Sequence, residues 1–98
     1  MTDQPSVETV LTIGHPAGLH LRPAALFVRT ASHFQSQIRA RNLSRAGAPD
    51  VDAKSMLGIM QAAVGQGQQV FVRATGADAA AAVAALERLV ADGFAEPT

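Results

Sequence analysis

The chain has 98 residues, 8 of them basic and 8 acidic, and 48% are apolar. That length suits one domain with a modest core, and the even charge argues against broad nucleic-acid or membrane-surface binding. The absence of cysteine excludes a disulfide framework and a thiolate metal site, the absence of Trp and Tyr argues against base-stacking platforms, and no apolar run reaches the roughly 18 residues of a membrane span.

Met-Thr-Asp-Gln-Pro has no charged region followed by an apolar run, so no signal peptide is expected and the protein is expected to be soluble and cytoplasmic. Residues 1–6 are expected to be loose. Val7, Thr9, Leu11 and Ile13 alternate with Glu8, Val10, Thr12 and Gly14, the period-2 pattern of a strand. Gly14-His15-Pro16-Ala17-Gly18 is a loop rich in turn residues. A first helix follows over about Leu21 to Ser32, with Pro23 near its start and an apolar stripe of Ala24, Phe27, Val28 and Ala31. Leu26 falls off that stripe, toward Arg22.

A second strand fits Gln37 to Leu43, with Ile38 and Ala40 on one face and Arg39 and Arg41 on the other. Residues 44–50 form a hairpin connection to a short third strand at Val51-Asp52-Ala53. Ser55 is a good N-cap for a second helix through Ala63, stopped by Gly65-Gln66-Gly67. Val70, Val72 and Ala74 alternate as a fourth strand. Asp78 is expected to cap an alanine-rich helix ending before Gly93, with Ala79, Ala82, Val83, Leu86, Leu89 and Val90 inward and Arg88 paired with Asp92. Residues 93–98 are expected to be loose. The order β-α-β-β-α-β-α predicts an α+β domain over 1–98, a small sheet with one face under helices. The other face would carry Glu8, Thr12, Arg39, Arg41 and Arg73 as a solvated surface.

The chemistry centres on His20, just outside the start of the first helix. Unpaired backbone N–H groups and the positive end of the helix dipole make that position favourable for an anion, phosphate in particular. Imidazole is a nucleophile that is neutral near pH 7. Arg22 adds a permanently charged planar donor suited to phosphate oxygens, and Gly18 permits close backbone approach. The chain shows no nucleophile with an acid–base partner, no Walker-type loop and no carboxylate pair placed for hydrolysis. A group that holds phosphate without machinery to activate ATP or water suggests a carrier. His15 and His20 do not match a standard metal-ligand spacing, and no metal or cofactor is expected. His33 reads as a helix C-terminal cation. Ser55 reads first as a cap, and a phosphate there would also suit a helix start. Met56-Leu57-Gly58-Ile59-Met60 places more large apolar residues in five than a short surface helix can bury, which marks a docking surface.

Gly18-Leu19-His20-Leu21-Arg22-Pro23-Ala24, with Phe27-Val28 and Ala31-Ser32, resembles the active-site segment of HPr, the histidine-containing phosphocarrier family of the bacterial phosphoenolpyruvate:sugar phosphotransferase system. Lys54-Ser55-Met56-Leu57-Gly58-Ile59-Met60 resembles that family's regulatory-serine segment, and the likeness runs over about residues 7–92. It implies an open-faced β-sandwich, a four-stranded antiparallel sheet covered on one face by three helices. It also implies that His20 takes a phosphoryl group on Nδ1 from phosphorylated enzyme I and passes it to an enzyme IIA for sugar uptake. Arg22 and the helix start, including Leu21, would hold the phosphate. Ser55 would be the target of a serine kinase and phosphorylase. Leu21, Leu26, Met56, Leu57 and Met60 would form the partner-docking surface.

Two positions depart from the family. Ala17 stands where a polar residue, often Asn or Ser, helps orient the loop, and Leu21 is larger than the usual Ala or Thr. The resemblance implies a monomer and a carrier that is not itself an enzyme. Two alternatives remain at the level of sequence. One is a carrier for a non-sugar branch, such as dihydroxyacetone kinase or nitrogen control. The other is a regulatory module switched at Ser55 that docks a transcription regulator or kinase.

Overall fold

Alternation of buried apolar and outward residues makes the sheet, with Val10 and Phe71 as apolar exceptions on its outer face. In the computed structural model, which describes residues 4–95, the strands are β1 (Ser6–Thr12), β2 (Gln37–Asn42), β3 (Asp50–Asp52) and β4 (Gln69–Thr75). All neighbours are antiparallel and lie in the order β1-β4-β2-β3. Leu11, Ile38, Ala40, Val51, Val70, Val72 and Ala74 are buried on the inner face. The helices are α1 (Leu21–Ser32), α2 (Met56–Ala62) and α3 (Ala79–Ala91). Helix α3 packs on β1 and β4, α2 on β2 and β3, and α1 lies against both helices. Ala79 and Ala82 on α3 are fully buried, and side chains that small let the helix approach the sheet closely. The expected α+β sandwich is what the chain forms, with β3 one residue earlier and β2 one residue shorter than expected.

The outer face carries the expected charges, and all but Arg41 are paired. Glu8 faces Arg73, Arg73 faces Arg39, and Arg39 faces Asp52 across the four strands. Two arginines directly opposite repel. Their flanking carboxylates offset this: Arg73 Nε donates to Glu8 at 3.1 Å and Arg39 Nε to Asp50 at 3.1 Å. Arg41 lies over the Phe71 ring at 5.7 Å. Arg39, Arg41, Asp50, Phe71 and Arg73 line a recess of about 100 Å³. Arg39 and Arg73 there are held by carboxylates and Arg41 by the Phe71 ring, and the recess lies on the face the helices leave open.

Three expectations are corrected. Leu26 is only 8% exposed and belongs to the core, because the inward face of α1 is wider than the four-residue stripe and includes Pro23. Asp78 does occupy the N-cap of α3, but its carboxylate makes no cap hydrogen bond. It reaches across to the start of β2, accepting from Gln35 N–H at 2.8 Å, Ser36 N–H at 2.9 Å and the Ser36 hydroxyl. Arg88 and Asp92 form no ion pair; the two residues are joined only by the backbone Asp92 N–H to Arg88 O bond.

The chain end departs most from expectation. Gly93 N–H donates to Val90 O at 3.0 Å and Phe94 N–H to Leu89 O at 3.0 Å, the two bonds of a Schellman motif. Gly93 and Phe94 both have left-handed φ, 66° and 61°. This turns Phe94 back into the protein, where it is 1% exposed. Phe94 therefore closes the core, while Gly93 and Ala95 on either side are exposed. At the other end, expected to be loose over 1–6, Ser6 already belongs to β1 opposite Thr75 and Pro5 O accepts Gly76 N–H at 2.9 Å; residues 1–3 and 96–98 lie outside the described residues.

Candidate functional site

His20 is placed by a loop that is strapped at both ends to the turn after α2. Ile13 N–H donates to Gln68 O at 2.9 Å, Gly67 N–H to Ile13 O at 2.7 Å, and Leu19 N–H to Val64 O at 2.8 Å. Gly18 lies against the same turn with φ 61°, and a Cβ there would fall 2.3 Å from Val64 O. Only glycine fits. The turn is itself anchored from below. Ala63 ends α2 in a left-handed conformation. Buried Asn42 donates through Nδ2 to Ala62 O at 3.1 Å and to Gln68 Oε1 at 3.1 Å. Gln68 Oε1 also accepts from Gly65 N–H at 2.8 Å.

His20 is the N-cap residue of α1, with extended backbone at φ −128° and ψ 157° and no side-chain cap bond. Its imidazole is half-buried and makes no hydrogen bond to the described residues. Both ring nitrogens are thus uncommitted beside the N–H groups of Leu21 and Arg22. Leu21 has φ 54°, a left-handed conformation that costs an L-residue about 1–2 kcal/mol. The regular helix starts just after it, and Pro23, third in α1, contributes no N–H to the first turn.

Arg22 does not point freely into solvent. Its Nη1 donates to Phe94 O at 3.2 Å, so the cation is tied to the end of α3. Phe94 also receives the edge of the His15 ring, with centroids 5.9 Å apart and planes at 86°. His15 Nδ1 accepts from Ala17 N–H at 3.0 Å. Sequence reasoning considered His15 only as a metal ligand and did not place Phe94 at the site. The signals for both were present: an aromatic residue directly after the helix-ending Gly93, and a side-chain acceptor two residues before Ala17.

The other expected residues separate by exposure. Leu21 is 73% exposed, Leu57 68% and Met56 39%. Met60 is half-buried against the core, and Leu26 is buried, so neither offers a free apolar surface comparable to those three. Ser55 caps α2, its Oγ accepting Gly58 N–H at 3.0 Å. Lys54 Nζ donates to Phe34 O at 2.7 Å, which fixes the entry to α2 against the end of α1.

The fold is an open antiparallel sheet backed by three helices, with the His20 imidazole at the start of the first. The family model described as the PTS HPr component phosphorylation site matches residues 7–92, and the chain belongs to this family of phosphocarriers of the phosphotransferase system. It is 42% identical over 91 residues to the phosphocarrier protein HPr of Treponema pallidum (strain Nichols), covering 92% of this chain and 97% of that one. The crystal structure of HPr-C-His from Thermoanaerobacter tengcongensis superposes with a TM-score of 0.84 at 42% identity, over 94% of this chain and 99% of that one. A structure of an HPr dimer from the same organism matches with a TM-score of 0.69 at 44% identity, over 88% and 94%. Members of the family carry phosphoryl groups and are not catalysts in their own right.

Proposed function

We propose that His20 accepts a phosphoryl group from phosphorylated enzyme I on Nδ1 and hands it to an enzyme IIA for sugar uptake. The observation that carries this is the uncommitted His20 imidazole at the α1 N-cap. In the neutral ring, the Nδ1 lone pair attacks phosphorus while Nε2 keeps its proton. The P–Nδ1 bond forms as the bond from phosphorus to the donor breaks. The N–H groups of Leu21 and Arg22 and the helix dipole favour the added negative charge. Arg22, anchored at Phe94 O, steadies the phosphoryl oxygens with its guanidinium fork. No acid–base partner is needed, because the group is passed on and not hydrolysed. Exposed Leu21, Met56 and Leu57 form the docking surface, suited to partners that bind weakly and leave quickly.

The relay is cytoplasmic and works as a monomer; the dimer belongs to the Thermoanaerobacter tengcongensis protein, and the elution volume of this chain checks its own state. The test of the central step is incubation with phosphoenolpyruvate and enzyme I. The protein gains acid-labile phosphate, and His20→Ala gains none. Label on His20→Ala at the parent level contradicts the reading.

One observation favours a second role, at Ser55. It is followed directly by the exposed Met56 and Leu57. A phosphate on Ser55 would set about two negative charges beside an apolar docking surface and weaken it. Ser55→Asp is expected to raise KM for enzyme I with little change in kcat. An unchanged KM would rule out that control.

A further inference from the structure

His15 is not used by the phosphoryl relay as described, yet it closes the loop that carries His20. Its backbone oxygen accepts Gly18 N–H at 2.8 Å, and its Nδ1 accepts Ala17 N–H at 3.0 Å. The second bond has the form of an Asx-turn, in which a side chain takes the amide two residues on. An Nδ1 that accepts must be unprotonated, so the neutral ring carries its proton on Nε2. The same ring packs edge-on against Phe94 at 5.9 Å. Phe94 in turn accepts Arg22 Nη1 on its carbonyl. One side chain therefore touches both the loop leading to the acceptor and the residue that anchors the phosphate-binding cation.

Resting on the relay proposed above, we infer that His15 is a positioning residue: it sets the His20 loop through Nδ1 and the Arg22 anchor through its ring. The two contacts are separable. In His15→Asn, Oδ1 keeps the acceptor and the ring is lost. In His15→Phe, the ring stays on Phe94 and the acceptor is lost, leaving Ala17 N–H unpaired.

The experiment measures phosphorylation of both variants by enzyme I as a KM and kcat pair, with urea midpoints to show that each is folded. Amide exchange at Ala17 and the imidazole nitrogen shifts of His15 are read in parallel. His15→Phe is expected to lower kcat about fivefold, the worth of one ordinary hydrogen bond, with KM unchanged and Ala17 exchange accelerated. His15→Asn is expected to restore Ala17 protection and to lower kcat only about twofold, the smaller loss reporting the ring contact with Phe94. Parent-level kcat in His15→Phe, or equal losses in both variants, overturns the inference. The nuclear readouts do not depend on enzyme I. A parent that takes no phosphate removes the relay, and the positioning role with it. A His15 Nδ1 that carries the ring proton in a phosphorylatable parent overturns the positioning role alone.

Discussion

Gly18 and Leu21 both have left-handed backbone, and they bracket His20 for different reasons. Gly18 is there because Val64 O leaves no room for a Cβ. Gly18→Ala is expected to cost about 3 kcal/mol or more, through strain and displacement of the turn, and a urea titration checks it. Leu21 pays a local conformational cost while exposing an apolar side chain to solvent. Leu21→Gly is expected to raise stability by about 1 kcal/mol and to weaken docking, seen as a higher KM for enzyme I. Asp78 supplies the pH dependence. The Ser36 hydroxyl first, and then the Gln35 N–H, favour its carboxylate form and lower its pKa from the ordinary value; burial opposes them, and the Ser36 N–H adds a smaller contribution in the lowering direction. The folded pKa is thus below the unfolded one. The stabilisation is full above the unfolded value and is lost as the pH falls through the folded value. Urea midpoints taken at stepped acid pH should fall for the parent and fall less steeply for Asp78→Asn.

Among the elements, the turn between α2 and β4 decides where the site sits, and Asn42 holds it. Asn42→Ala removes the donor to Ala62 O and Gln68 Oε1; Gln68 Oε1 keeps Gly65 N–H, but the carbonyl of buried Ala62 loses its side-chain donor, an expected loss of about 2 kcal/mol. Amide exchange should show Leu19 and Gly67 opening together. The strands and helices were legible in the sequence because period 2 and period 3.6 are local properties of the chain. Ser55 was legible as a cap for the same reason, since Gly58 N–H is three residues away. Asp78 was misread because its partners, Gln35 and Ser36, are more than 40 residues distant in sequence. Leu26 was misread because its burial depends on where α2 and α3 lie, which no helical wheel contains. The fold of Phe94 was misread although Gly93 signalled it: a glycine after a helix marks a stop, and the hydrophobic residue that follows belongs to the same motif.

At the level of the whole molecule, the two faces of the sheet divide the work. The helical side carries the core, the loop that leads to His20 and the exposed Leu21, Met56 and Leu57. The open side carries a balanced lattice of Glu8, Arg73, Arg39 and Asp50. Exposed pairs of that kind contribute at most about 1 kcal/mol. Arg41→Ala is therefore expected to change phosphoryl transfer by less than about twofold, the range of a solvated charge. Arg22→Ala, on the helical side, is expected to slow transfer about tenfold to a hundredfold by removing a charged donor to the phosphoryl oxygens. Steady-state transfer from enzyme I to an enzyme IIA separates the two.

In the proposed relay, one nitrogen of one histidine carries the group. The measurement is a map of the imidazole nitrogens of His15, His20 and His33 by nuclear magnetic resonance, before and after phosphorylation with phosphoenolpyruvate and enzyme I. The expected result is a phosphorus bond at Nδ1 of His20, with His15 still accepting Ala17 N–H on its own Nδ1 and His33 unchanged. Phosphate at Nε2 of His20, or on either other histidine, would contradict it.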